Sequence, residues 1–153
     1  MNQQRRDALR ISTVLGLAFS AGLLKPSDVF AGEWNAKVFD AKSLDAAVKA
    51  LGADKFATSG DVSINAPDIA ENGAVVPVAM TSKIPNTDYM AILVEKNPNA
   101  MAAGFTLPAG TEPFISTRVK MGSTSNVYAL VKADGKWYAT KKEIKVTLGG
   151  CGG

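Results

Sequence analysis

Histidine is absent from this chain, and cysteine occurs once, at Cys151. Without an imidazole there can be no Ser-His-Asp triad, no Cys-His pair and no histidine-ligated metal. A single thiol excludes a CxxC redox pair and any disulfide within the chain. No GxxxxGK or GxGxxG loop offers a cradle for phosphates. The carboxylates are scattered at turns and strand edges, with no paired acid and base among them. A complete active site is therefore not expected, nor is a resident metal or cofactor. Long apolar runs are missing too: the longest, Ile11 to Leu24, has 14 residues, short of the roughly 20 that a membrane-spanning helix needs.

That run belongs to a leader-like opening, "MNQQRRDALRISTVLGLAFSAGLLKPSDVFAGEW". Arg5, Arg6 and Arg10 form a basic front, and Val29-Phe30-Ala31 fits cleavage after Ala31. Arg5 and Arg6, followed by Leu9 and Arg10, match the twin-arginine export pattern, although Ala8 stands where phenylalanine is common. Residues 1–31 are accordingly expected to be a signal peptide, directing a folded and otherwise soluble protein to the bacterial periplasm. Four of the 17 basic and two of the 14 acidic residues fall in that leader, leaving 13 against 12. Such a near-neutral balance gives no basic stripe for nucleic acid and no polybasic patch for lipid.

Residues 32–148 have the size of one domain with a single core. "SLDAAVKAL" (Ser43 to Leu51) predicts one short helix: Leu44, Ala47, Val48 and Leu51 share a face, Ser43 is a good N-cap, and Gly52 stops it. Helical periodicity then ends. Short strands are expected at 61–65, 75–81, 90–95, 102–107, 114–121, 126–132, 137–140 and 143–148. They are separated by turn signals such as Asn72-Gly73, Asn97-Pro98-Asn99, Pro108-Ala109-Gly110 and Asp134-Gly135. In "FISTRVKM", Ile115, Thr117, Val119 and Met121 alternate with Ser116, Arg118 and Lys120, and in "EIKVTL" Ile144, Val146 and Leu148 point inward. The expected fold is mainly β, an immunoglobulin-like antiparallel sandwich carrying a short N-terminal helix. Met80, Met90, Met101 and Met121 read as packing rather than ligands, and Trp137 and Tyr138 as either core or interface.

The final residues, "VTLGGCGG", set the one thiol between glycines. Gly149, Gly150, Gly152 and Gly153 carry no Cβ, so 149–153 is expected to be a flexible and very thin arm. It lets Cys151 reach roughly 10 Å beyond the last strand, far enough to enter a narrow pocket in another protein. The nearest basic side chain in sequence is Lys145, so Cys151 should be accessible without being self-activated. These properties suit a carrier whose thiol holds a covalent cargo, with sulfur as a natural one. They also suit an exported structural subunit joined through an intermolecular disulfide. A third option is a module that binds ligands through its loops, with the tail incidental.

"KVTLGGCGG", "INAPDIAENGAVVPV", "VEKNPNAMAAGFTL", "STRVKM" and "TSNVYALVKADGKWY", in that order, resemble the SoxY family of sulfur carriers in bacterial thiosulfate oxidation. The resemblance spans essentially the whole chain. It implies an immunoglobulin-like sandwich paired with a SoxZ subunit and a non-enzymatic role, with Cys151 as the attachment point. It further implies three catalysts acting on that thiol. The haem cytochrome SoxXA would couple thiosulfate to it oxidatively, and the dimanganese hydrolase SoxB would release sulfate. The sulfane dehydrogenase SoxCD, where present, would oxidise the remaining sulfur. Metals and haems would belong to those partners. One departure falls in a loop, where Ala100 occupies a position expected to be proline.

Overall fold

In the computed structural model, residues 35–147 are described. The described residues begin with two short helices, α1 (Ala36–Phe39) and α2 (Leu44–Ala50). Nine strands follow: β1 (Phe56–Thr58), β2 (Val62–Asn65), β3 (Ile69–Ala70), β4 (Val76–Ser82) and β5 (Thr87–Val94), then β6 (Met101–Thr106), β7 (Phe114–Val119), β8 (Ser125–Ala133) and β9 (Lys136–Val146).

Helix α2 forms as its capping residues dictate. The Ser43 side chain accepts the Ala46 N–H at 3.2 Å, and Asp45 and Lys49 sit at the dipole ends that favour their charges. At its C-terminus Gly52 N–H bonds Lys49 O and Ala53 N–H bonds Val48 O, the paired bonds of a Schellman ending. Ala53 and Val48 are both buried beneath that ending. Helix α1 was not visible in the sequence. Its four residues are too few to show a period, and its N-cap makes no side-chain hydrogen bond.

Two sheets stack face to face. The smaller runs β2-β4-β7, the larger β1-β9-β8-β5-β6, with β3 also paired to β9. The expected sandwich is present, although β1 and β3 run parallel to β9, so the larger sheet is mixed rather than purely antiparallel. Its central strands bury both faces. Met90, Ile92 and Val94 of β5, with Val127, Ala129 and Val131 of β8, meet Val76, Val78, Met80 and Val119 of the smaller sheet. Ala91, Leu93 and Leu130 point the other way, against Val38, Ala47 and Val48 of the helices. Fully burying each large aliphatic side chain contributes about 1.5–3 kcal/mol, so these two layers account for most of the favourable burial.

Met80, Met90, Met101 and Met121 are all buried in this packing. Tyr138 packs toward the inter-sheet core and Trp137 toward the helix layer. Trp137 meets the Tyr89 ring edge-on at 5.9 Å, and burial of Tyr89 pushes its phenol pKa up. Ala100, where proline was expected, donates its N–H to Ala41 O, a bond that proline could not make.

Two strands were expected, at 137–140 and 143–148, but a single long strand, β9, runs through both and ends at Val146, with residue 148 outside the described residues. Lys141 and Lys142, the gap between the two expected strands, lie within it. Both pair with β8, and Lys142 reaches across to the β2–β3 connection, donating to Ala66 O and meeting Asp68 at 2.9 Å. The β8–β9 hairpin turns on Asp134 (φ 49°) and Gly135 (φ 73°), the two left-handed residues that a tight two-residue hairpin requires.

Candidate functional site

Cys151, Gly149, Gly150, Gly152 and Gly153 lie outside the described residues, as do Arg5 and Arg6 and the expected boundaries at 31 and 148. The structure does describe the exit point from which the chain continues toward Cys151. β9 ends at Val146, and Thr147 follows.

Strand register gathers three loops at that exit. Val94 pairs with Val127 and Ser125 with Ile144, so the β5–β6 and β7–β8 loops lie beside the end of β9. Ala70 pairs with Val146 and Val76 with Val119, which adds the β3–β4 loop. Hydrogen bonds then fasten these pieces together. Thr147 N–H donates to Ala70 O at 3.1 Å, and Val146 N–H donates to Thr124 Oγ1 at 3.0 Å. Met121 N–H donates to Gly73 O at 2.7 Å. Asn97 ties the β7–β8 loop down twice, donating from Nδ2 to Lys120 O at 2.7 Å and accepting Gly122 N–H at 3.2 Å. Buried Ser125 accepts Lys96 N–H at 3.0 Å and donates to Asn126 O.

Gly73 is required by close approach rather than by an unusual backbone angle. A Cβ there would lie 2.4 Å from Met121 O and 2.9 Å from Val146 Cγ1. Sequence reading marked Asn72-Gly73 only as a turn. That Ala70, Gly73 and Thr124 form a collar around the end of β9 was missed, because each contact joins residues distant in sequence. Thr124 and Val146, for example, are 22 positions apart.

Among the described residues no group of three or more His, Cys, Asp or Glu side chains could hold a metal. None of their buried side-chain nitrogens or oxygens lacks a hydrogen-bond partner, so none is left aimed at a ligand. An open groove of about 420 Å³ lies between Gly52, Asp54, Lys55 and Ala57 on one side and Gly135, Lys136, Trp137 and Tyr138 on the other. It adjoins the first residues of β9, whose eleven residues place it roughly 30–35 Å from the exit point. No described helix is long and apolar enough to cross a membrane.

Comparison with known proteins agrees with this geometry. The family model of the sulfur oxidation protein SoxY matches residues 47–151, a stretch that runs through Cys151. The structure of the sulfur carrier protein SoxY from Chlorobium limicola f thiosulfatophilum superposes with a TM-score of 0.64 at 36% identity, covering 74% of this chain and 100% of that one. A PKD domain of an M14-like peptidase from Thermoplasmatales archaeon SCGC AB-540-F20 is a far weaker likeness. Its TM-score is 0.36 at 16% identity, over 55% of this chain and 92% of that one, and it carries no argument. No curated protein matches significantly. With the family matched over most of its length, and a member's whole structure reproduced by its sandwich, the chain belongs to the SoxY family of sulfur oxidation proteins.

Proposed function

We propose that this protein is a periplasmic sulfur carrier, exported by the twin-arginine pathway through residues 1–31, which holds thiosulfate-derived sulfur covalently on Cys151. The observation that carries this reading is the family match extending through Cys151, with that cysteine four residues beyond Thr147, whose N–H is bonded to Ala70 O just past the end of β9. The sandwich is then a handle, and Gly149, Gly150, Gly152 and Gly153 are the tether that delivers the thiol.

The chemistry divides between carrier and partners. The Cys151 thiolate forms an S–S bond to the outer sulfur of thiosulfate, releasing two electrons to the haems of SoxXA and leaving a cysteine S-thiosulfonate. Water then cleaves the bond between the outer sulfur and the sulfonate in SoxB, giving sulfate, two protons and a Cys151 persulfide. SoxCD, where present, oxidises that remaining sulfur. SoxZ is the proposed heterodimer partner. This chain's contribution is attachment and presentation. Glycines keep the tether's cross-section at the backbone minimum, so a buried catalytic centre can admit it.

The test is Cys151→Ser in a reconstituted system with SoxZ, SoxXA and SoxB. Loss of thiosulfate turnover with an unchanged far-UV spectrum is expected. Turnover at the parent rate would place the function elsewhere on the sandwich.

A further inference from the structure

Support from β8 stops short of the end of β9, the last pair between them being Ser125 with Ile144. A strand end that loses its neighbour ordinarily leaves its N–H groups to water and frays. Here the next three N–H groups are all engaged. Lys145 N–H donates to Asp68 O at 2.9 Å and Thr147 N–H to Ala70 O at 3.1 Å, both toward β3. Between them Val146 N–H donates at 3.0 Å to Thr124 Oγ1. Thr124 is the residue just before β8, so its hydroxyl takes the place of the missing ladder carbonyl.

Among the described residues β3 has no sheet partner apart from β9, and its two pairs are Ile69 with Lys145 and Ala70 with Val146. It is held on both sides. Before it, Lys142 meets Asp68 at 2.9 Å and donates to Ala66 O; after it, Gly73 O accepts Met121 N–H. The effect on length is large, because Ile144 and Cys151 are seven residues apart and Thr147 and Cys151 four. At about 3.3–3.6 Å per residue, a chain free after Ile144 would reach at most roughly 23–25 Å, against roughly 13–15 Å for one held through Thr147. The local concentration of a tethered group falls as about the −3/2 power of tether length, so the longer tether would also dilute the thiol about twofold.

We infer that β3 and Thr124 fix the root of the arm, and that Asp68, Ala70 and Thr124 are positioning residues for the delivery of sulfur held on Cys151. They hold the three residues that β8 leaves unpaired, cutting the free length between sandwich and thiol from seven residues to at most four. The reacting centre of a partner enzyme must then lie within that shorter reach, which the glycines alone do not determine. The inference rests on the carrier reading and adds to it which part of the domain sets the length of the arm.

The experiment uses the loaded carrier, assembled with SoxZ, as the varied substrate of SoxB. Deleting Gly149 shortens the arm to three residues, a reach of roughly 10–11 Å, and should lower kcat/KM at least about tenfold. Thr124→Val with Thr147→Pro releases the root, since valine has no acceptor and proline no N–H; both positions lie outside the buried core. Alone, this pair should speed amide exchange at Lys145 and Val146, leave β8 protected and lower kcat/KM about twofold. Combined with the deletion, it should raise kcat/KM about fivefold over the deletion alone, because freed residues supply the missing length. A merely structural role would make the combination worse. Thr124→Ser, which keeps the hydroxyl, should not rescue. If the deletion costs nothing, if release fails to rescue, or if Lys145 and Val146 stay protected in the release variant, the root assignment is wrong and the carrier reading stands. If no adduct forms on Cys151 in the parent, the carrier reading fails and this inference with it.

Discussion

Gly73→Ala probes the collar that fixes where β9 ends. The added Cβ would sit 2.4 Å from Met121 O and 2.9 Å from Val146 Cγ1, both well inside van der Waals contact. Neither neighbour yields freely. Met121 O belongs to a residue whose own N–H is bonded to Gly73 O at 2.7 Å, so moving it strains that bond. Val146 is held by Thr124 on one side and by its pairing with Ala70 on the other. Overpacking of this kind costs roughly 1–3 kcal/mol, and weakening one hydrogen bond adds about 1 kcal/mol. The expected loss is roughly 2–4 kcal/mol, and at about 4 °C per kcal/mol for a domain of this size Tm should fall by roughly 8–16 °C. Urea unfolding followed by tryptophan fluorescence would read it as a lower midpoint at unchanged m. Thr124→Ala, which removes only the acceptor for Val146 N–H, should cost about 1 kcal/mol. A Gly73→Ala variant within about 0.5 kcal/mol of the parent would show that the turn relaxes easily and that the exit is not clamped.

Other outcomes are expected elsewhere. Replacing Ser43 with alanine removes the N-cap of α2 and should cost about 1 kcal/mol by the same unfolding assay. The Tyr89 pKa is raised by burial, so the neutral phenol is favoured in the fold. The corresponding stability is fully present below the unfolded pKa near 10 and is lost as pH rises through the higher folded value. Tyr89→Phe should therefore flatten the alkaline limb of the stability profile and leave it unchanged near neutrality. Valine at both Gly150 and Gly152 should leave thermal unfolding unaltered but slow delivery under limiting carrier. Equal steady-state rates would show that the slimness of the tether is irrelevant.

What sequence made legible follows from how local each signal is. Helix α2 carries its start and stop within ten residues, and the structure reproduces them. The alternation in "FISTRVKM" holds, with Val119 and Met121 buried and Ser116, Arg118 and Lys120 exposed. Asp134-Gly135 is the predicted hairpin turn. By contrast, β1 and β3 have three and two residues and exist only because β9 supplies a parallel edge, which no local pattern encodes. Lys141-Lys142 broke β9 on paper because the partners of Lys142, Ala66 and Asp68, lie more than 70 positions away. Of the candidate site, the thiol and its glycines were plain in the sequence. The collar of Ala70, Gly73 and Thr124 required the strand register.

The central claim is that Cys151 carries sulfur, and intact mass reads it directly. After incubation with thiosulfate and SoxXA, the chain should gain about 112 mass units, falling to a gain of about 32 once SoxB has acted, with both removed by mild reductant. A chain that stays unmodified, or that appears only as a reducible species of two whole chains with no lighter adduct, would contradict the account.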